Sequence, residues 1–330
     1  MKNYHYQSIY APYIGEFIAF KRSVGYKFAR PSNFRQLDRF MLINANSQIG
    51  ITKEIADKWC AARNNENEHT RYGRTASLRQ FSQYLRNLGF NSYIPQLPKF
   101  PNNTFVPYIY SHDEIKAVFN ACDGLRLRRR TTESSLLIMP CLLRMLYATG
   151  IRITEALSLK NKDIDFDGKC LMIRDSKNNK DRLVPITDTL VNVCKQYLQN
   201  RINLPVSDLD KPDSPFFVSP LGLPVRALSV RGWFEKILAG TGITGNKRRP
   251  RLHDLRHSFA CHSFVKLADD GLDLYCSWPY LSTYLGHQSL SMTEQYVRLT
   301  EQLYPELLKD TAGLYVNILH EDEEKQKGGL

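Results

Sequence analysis

Apolar side chains recur at spacings of three and four residues through the first ninety positions of the chain. This spacing is the period of an amphipathic helix with one face turned towards a core. In the last such stretch Leu78, Phe81 and Leu85 form the apolar stripe, and Gly89 follows as a stop signal. The pattern predicts a small helical domain with basic outer surfaces. Its four helices are predicted over residues 10–25, 31–44, 52–63 and 70–89.

A cluster of prolines separates this region from the rest of the chain. They are Pro95, Pro98, Pro101 and Pro107. A proline removes a backbone donor and clashes inside a helix, so a continuous helix cannot run through this stretch. Residues 90–108 are therefore predicted to form an extended linker. We place a helical domain at 1–104 and a second domain at 105–330.

The second domain opens with two helical patterns. Residues 111–122 begin at a Ser111 cap. Residues 134–150 are apolar almost all round, which predicts a buried helix that ends at Gly150. A further short helix is predicted over residues 153–164.

Strand patterns follow these helices. The Asp167-Gly168 pair and the polar segment 176–181 are turn signals between β-prone runs, and they predict two tight hairpins. Mostly helical patterns continue to about residue 320, and the polar residues 321–330 are expected to be disordered. The expected fold class is mostly α with a small antiparallel β-sheet, that is, α+β.

The charge of the chain is strongly positive and unevenly distributed. The net charge is +12, and residues 1–108 contain 15 Lys and Arg against 6 Asp and Glu. A basic region of this kind is typical of a nucleic-acid binder, although on charge alone a solubilising surface is an equal alternative. The candidates for DNA contact are Arg71, Arg74 and Arg79 near the end of the first domain and the loop residues Lys247, Arg248, Arg249 and Arg251.

The seven cysteines are scattered and never spaced as C-x-x-C. This distribution predicts a reducing cytoplasmic location and disfavours a disulfide framework or a zinc knuckle. No apolar run reaches the length of a membrane span, so no membrane association is expected. His253 and His257 have a metal-like spacing, but no glutamate accompanies them and an arginine lies between them, so we predict no metal site.

Four cationic segments and one tyrosine carry the chemistry of the second domain. They are "ATGIRITEAL", "DSKNNKDR", "HDLRH" and "LGHQSLSMTEQY". Arginine presents a planar fork to two phosphate oxygens and stays charged. A phenol can attack phosphorus and form a covalent intermediate, and a lysine can protonate the departing alkoxide. This combination favours a phosphodiester substrate, with no metal needed to neutralise the developing charge.

In this order the four segments resemble the conserved boxes of the tyrosine recombinases, or phage-integrase family, and are most similar to the Xer-type members. The resemblance covers about residues 110–300, and the helical pattern before it is similar to the family's core-site DNA-binding domain. It implies six catalytic positions. They are Arg152, Lys177, His253, Arg256, His287 and Tyr296.

The resemblance also implies a role for each position. Arg152 and Arg256 would hold the non-bridging oxygens of the scissile phosphate. His253 would assist proton transfer and orient the phosphate, and His287 would donate a hydrogen bond to it.

The resemblance assigns the covalent step to Tyr296 and Lys177. Tyr296 would attack and become a 3′-phosphotyrosine, while Lys177 would protonate the 5′-hydroxyl leaving group. Lys180 is a rival for the lysine role, because the hairpin turn contains both. The ester bond conserves the energy of the cut strand, so no ATP or other cofactor is expected.

Other residues of these segments have simpler interpretations. Glu155 is predicted to support Arg152, and His257 is interpreted as a supporting residue of its helix rather than a catalyst. His262 is interpreted as a core or surface histidine. The connection between Arg256 and His287 is longer than is usual in the family.

The implied activity is site-specific DNA recombination, for integration, excision or transposition of a mobile element or for Xer-type resolution. The resemblance implies a two-domain C-shaped clamp on double-stranded DNA with paired recombination sites. It also implies a homotetramer or an assembly with related recombinases. Two alternatives remain open: DNA relaxation of the type IB topoisomerase kind, and a non-catalytic DNA-binding regulator on the same scaffold.

Overall fold

A computed structural model provides the structure of the chain, and its backbone contacts divide the protein into two compact units, Met1–Phe105 and Val106–Leu330. The prediction of a mostly helical protein with a small antiparallel sheet is confirmed. The structure describes residues 4–26, 32–44, 48–101, 105–126, 135–174, 181–245, 249–286 and 296–300. The predicted disordered tail and the last predicted helical pattern lie outside these residues.

The first unit contains the four helices that the apolar spacing predicts. They are α1 (Ala11–Ser23), α2 (Ser32–Asn44), α3 (Lys53–Cys60) and α4 (Glu68–Asn87). Their apolar faces meet in one core, at whose centre the rings of Phe17, Phe34 and Phe81 lie 5.4–5.9 Å apart. The Thr52 hydroxyl accepts a hydrogen bond from the Ile55 amide and so begins α3.

Arg74 is an exception to the predicted basic surface. Its side chain is 2% exposed, and it forms a bidentate pair with Glu66 at 2.9 and 2.6 Å. Arg74 lies four residues before Leu78, so the helical period places it on the apolar stripe rather than beside it. The prediction that Arg74 belongs to the exposed DNA-contacting face is therefore wrong. The Glu66 carboxylate makes its burial tolerable.

The second unit is built around a buried helix. Its helices are α5 (His112–Gly124), α6 (Met139–Thr149), α7 (Ile153–Ala156), α8 (Asp188–Arg201), α9 (Ala227–Thr241), α10 (Asp254–Asp269) and α11 (Leu274–Leu285), with 3-10 turns at Leu136–Ile138 and Asn161–Asp163. Helix α6 packs against α5, α8 and α10, as its apolar composition predicts. The described helices include none that is both long and apolar enough to cross a membrane.

Helix α7 is shorter than predicted. The sequence pattern extended to residue 164, but α7 ends after one turn because later backbone amides bond elsewhere. The amides of Asn161 and Lys162 donate to the carbonyls of Ser214 and Pro212. The chain then enters the sheet.

The two predicted hairpins form one three-stranded antiparallel sheet in the order β1-β2-β3. The strands are β1 (Ile164–Asp165), β2 (Cys170–Ile173) and β3 (Arg182–Pro185). Leu171 pairs with Ile164 on one side and Val184 on the other, and all three side chains are buried. Strand β3 begins at Arg182, which pairs with Ile173 at the end of β2. Arg182 is also part of the candidate active site.

Candidate active site

Arg152 is held at the junction between α6 and α7. Gly150 ends α6 with φ of 60°, and a Cβ there would lie 2.3 Å from a ring carbon of Phe259. Only glycine fits this turn, which delivers Arg152 to the start of α7. The Arg152 amide donates to Glu155 Oε2 at 2.9 Å, and its Nη1 donates to Oε1 at 2.8 Å. The prediction that Glu155 supports Arg152 is confirmed.

Arg182 shares the same carboxylate. Its Nη2 donates to Glu155 Oε2 at 2.8 Å and its Nη1 to Oε1 at 3.3 Å. Burial alone would raise the pKa of Glu155, but the Arg182 hydrogen bonds and the Arg152 amide outweigh it and lower this pKa to about 2. Glu155 therefore stays ionised between two arginines. Arg182 was not among the predicted catalytic residues, although it ends the cationic segment "DSKNNKDR".

Arg256 lies in the first turns of α10 and is 3% exposed. Its Nη1 donates to the carbonyl of Gly150 at 2.7 Å and its Nη2 to that of Leu285 at 2.8 Å. Burial, and then the charge of Arg152, lower the pKa of Arg256 to about 10. The guanidinium therefore remains positively charged at neutral pH, beside Arg152.

The three arginines converge on the C-terminal end of α11. The carbonyls of Tyr284, Leu285 and Gly286 accept hydrogen bonds of 3.0, 2.8 and 3.4 Å from Arg182, Arg256 and Arg152, respectively. Helix ends leave such carbonyls without intrahelical partners and carry a partial negative charge. The arginines supply these carbonyls with hydrogen-bond donors and with positive charge. They thereby hold the backbone up to Gly286, the residue before position 287.

His253 occupies the N-cap position of α10, three residues before Arg256. Its ring lies edge-on to that of His257, with centroids 4.9 Å apart. Desolvation by surrounding protein atoms and the charge of Arg256 lower the pKa of His253 to about 4, although the residue is exposed to solvent. Its imidazole is therefore neutral at pH 7 in the absence of a bound anion.

Tyr296 is buried beside the same helix. It is 2% exposed and packs with Phe264, Leu281 and Leu285 in an apolar cluster. Its phenolic oxygen lies 2.7 Å from Nδ1 of His257, which is itself 6% exposed. His257 was predicted only to support its helix; Tyr296 lies 39 residues away in sequence, so the local pattern does not pair the two.

Four of the six predicted catalytic residues come together in the structure. Arg152 and Arg256 lower the pKa of His253, and Tyr296 raises that of Arg256, so the four groups share one electrostatic environment. The predicted Lys177 and His287, and the rival Lys180, lie outside the described residues. Within those residues, no three His, Cys, Asp or Glu side chains are grouped as a metal ion would require.

The predicted DNA-contacting residues occupy different environments. Arg249 and Arg251 are exposed and line an open cavity of about 560 Å³ that His253 also lines. Arg79 is exposed and donates to the Pro95 carbonyl at 2.8 Å, whereas half-buried Arg71 donates to the Cys60 carbonyl at 3.0 Å. Lys247 and Arg248 lie outside the described residues.

Comparison with known families identifies the family of the chain. The model of the phage integrase family matches residues 109–302, nearly the span that the sequence motifs predict. The chain belongs to the phage integrase family. All four motifs fall within the matched span, and the Xer-like resemblance is confirmed.

Relatives of this integrase support the assignment along most of its length. The Sinorhizobium fredii integrase/recombinase y4rB is 29% identical over 301 residues, covering 90% of this chain and 95% of the relative. The tyrosine recombinase XerA of Pyrococcus furiosus is 30% identical over 239 residues, 72% of each chain. The structure is similar to the Tn1549 transposon integrase with circular intermediate DNA, with a TM-score of 0.63, 17% identity and coverage of 86% and 93%.

The integrase is a site-specific DNA recombinase that cleaves and rejoins DNA strands. The relatives are named integrases and tyrosine recombinases, which disfavours the topoisomerase and regulator alternatives. At 17% identity, the likeness to the transposon integrase concerns the fold alone.

Proposed function

We propose that Tyr296 is the nucleophile of the recombinase and that Arg152 and Arg256 hold the scissile phosphate. The observation that carries this assignment is the convergence of these two fixed guanidinium groups beside the buried tyrosine. Two positive groups held by Glu155 and by backbone carbonyls need little rearrangement to stabilise the negative charge that develops on phosphorus.

The proposed reaction proceeds in one displacement. The Tyr296 oxygen forms a bond to phosphorus, the bond from phosphorus to the 5′ oxygen breaks, and the DNA 3′ end becomes a phosphotyrosine ester. Lys177 gives its proton to the departing 5′ oxygen, and His253 and His287 orient the phosphate. Attack of a second 5′-hydroxyl reverses the steps and joins a new partner strand.

The proposed substrate is double-stranded DNA that carries paired recombination sites, and the proposed task is movement of a mobile element. Arg79, Arg249 and Arg251 would contact the phosphate backbone, because they combine positive charge with exposure. We propose the same role for Arg71, Lys247 and Arg248. Arg74 is not included, because it is buried against Glu66.

The proposed assembly is a homotetramer, or a mixed assembly with related recombinases, at two DNA sites in the cytoplasm. Residues 1–104 would bind the core site and residues 105–330 would carry the catalytic groups. Mass photometry on the DNA site recovered below should show four subunits for two sites. Two subunits, or one, would contradict the tetramer.

Covalent trapping tests the proposed function. Cells that express the recombinase and carry the DNA flanking its gene are denatured rapidly, and the DNA ends attached to protein are sequenced. Ends that cluster at one short sequence for wild type, and are absent for Tyr296→Phe, are expected. Arg256→Ala should reduce the yield by about 10²–10³-fold. Scattered ends would indicate a relaxing activity, and no attached DNA from wild type would contradict the assignment of Tyr296.

A further inference from the structure

We propose that His257 is the base that accepts the phenolic proton of Tyr296. This inference rests on the proposed role of Tyr296 as nucleophile. As the Tyr296 oxygen bonds to phosphorus, its proton moves to Nδ1 of His257, and the 5′ oxygen leaves with the electrons of the broken bond and a proton from the general acid. During rejoining His257 returns the proton to the phenol.

The reaction needs such a base. A phenol has a pKa of about 10, so about one molecule in a thousand is ionised at pH 7. A positioned base removes this limit, and the heavy atoms must then lie about 2.6–3.2 Å apart. Nδ1 of His257 lies 2.7 Å from the Tyr296 oxygen, and both side chains are buried, at 6% and 2% exposure. Bulk water is therefore poorly placed to take the proton.

The position of His257 in α10 links this proton transfer to the phosphate site. His257 directly follows Arg256, so the same helical turn orients the proposed base and the phosphate-binding guanidinium. On the other side, the ring of His253 contacts that of His257 edge-on. The nucleophile, the base and one phosphate ligand are thus fixed together by α10.

The charges around His257 favour transfer after DNA binds. Among the described residues, the titratable and charged groups around His257 and Arg256 include His253, Tyr296, Tyr284, Arg152, Arg182 and Glu155. The positive charge of the arginines disfavours a second positive charge on the imidazole. A bound phosphate brings negative charge to these arginines, and ionisation of Tyr296 adds more next to Arg256. The histidine can then hold the proton without a net gain in positive charge.

His262 of α10 forms a second histidine–tyrosine pair, with Tyr147 of α6, and this pair provides a matched control. Nδ1 of His262 lies 2.9 Å from the phenolic oxygen of Tyr147, and His262 is also buried. The Tyr147 ring also contacts Phe119. His262→Asn therefore makes the same substitution at the same kind of contact on the same helix, away from the proposed proton transfer.

The first test reads the tautomer of His257 in the wild-type protein. With ¹⁵N-labelled histidine, the chain gives eight imidazoles, and His257→Asn assigns the relevant one. An acceptor Nδ1 requires the proton on Nε2. We expect this tautomer, and a change in the Nδ1 shift when Tyr296 is replaced by Phe. A proton on Nδ1 of neutral His257 would overturn the proposal, whatever the activity of the variants.

The second test is single-turnover cleavage of a nicked duplex that carries the sequence recovered by trapping. Asparagine places an oxygen near the position of Nδ1, so His257→Asn can keep the hydrogen bond but cannot take the proton. We expect it to be about 10²–10⁴-fold slower at pH 7. The deficit should shrink as pH rises, because a growing fraction of the phenol ionises unaided. His262→Asn should keep the wild-type rate and pH profile.

The outcomes separate this proposal from the one it rests on. Normal cleavage by His257→Asn at every pH would overturn the base assignment and leave Tyr296 as the nucleophile. An equal loss at every pH would also overturn it, since a structural defect has no reason to recover as the phenol ionises. Absence of a covalent product from wild type would overturn both proposals.

Discussion

Replacement of Glu155 by glutamine tests the central ion cluster of the second unit. The Glu155 side chain is 6% exposed and receives hydrogen bonds from Arg152 and Arg182. Glutamine has almost the same shape but no charge. The variant therefore keeps the packing while leaving two guanidinium groups without their shared counter-ion.

The expected loss follows from the pKa of this carboxylate. It lies at about 2, against an ordinary value of 4.5. A difference of about 2.5 pH units corresponds to about 3 kcal/mol of stability at pH 7. Because the folded pKa is depressed, this stability is fully present above about pH 4.5 and is lost as pH falls towards 2. Repulsion between the two arginines would add to the loss.

The assay is urea unfolding followed by tryptophan fluorescence, since Trp233 and Trp278 both belong to the second unit. Asp208→Asn is the control, because its ion pair with Lys211 is more than half exposed on both sides and should matter by less than about 1 kcal/mol. The wild-type advantage over Glu155→Gln should be greatest at pH 7 and smaller at pH 3. An unchanged free energy of unfolding at pH 7, or an equal difference at both pH values, would refute the reasoning.

Three further variants test individual contacts. Gly150→Ala should lower the stability of the second unit by about 1–3 kcal/mol in urea unfolding, because the new Cβ meets Phe259 at 2.3 Å at a φ of 60°. It should also slow cleavage, since the Gly150 carbonyl positions Arg256; normal cleavage kinetics would contradict that link. Arg182→Lys should lose the two-pronged contact with Glu155 and reduce the yield of covalent adduct, with Lys169→Arg, on the exposed pair with Asp188, as the unaffected control. Arg74→Met should destabilise the first unit by about 1–3 kcal/mol in thermal unfolding, because the Glu66 carboxylate loses its bidentate partner, whereas an effect on DNA affinity alone would restore the surface interpretation.

Much of the fold was predictable because it depends on residues close together in sequence. The capping box at Ser111 and Glu114 begins α5 where the pattern placed it. The β1–β2 turn forms because the Asp165 side chain accepts from the Gly168 amide at 2.8 Å. Such contacts need only a few neighbouring residues, so local composition predicts them well.

The error at Arg74 shows where residue type misled the interpretation. The spacing of Arg74 from Leu78, Phe81 and Leu85 places it on the core face of α4, but its charge suggested that it lies on the surface. Arg74 can be buried because the Glu66 carboxylate accepts its hydrogen bonds. Glu66 lies eight residues earlier, in a non-helical segment. The helical pattern of α4 contains no sign of that partner.

The sequence by itself predicted most of the helices and both hairpins, and the resemblance of its motifs implied that Arg152, Arg256, His253 and Tyr296 act in one reaction. The tertiary structure alone decided what holds them. Arg182 reaches Glu155 across 27 residues, His257 reaches Tyr296 across 39, and Arg152 reaches Gly286 across 134. These contacts follow from how α6, α10, α11 and β3 pack together. Helical and strand periods describe which face of an element is buried, but they do not specify which distant side chain it meets there.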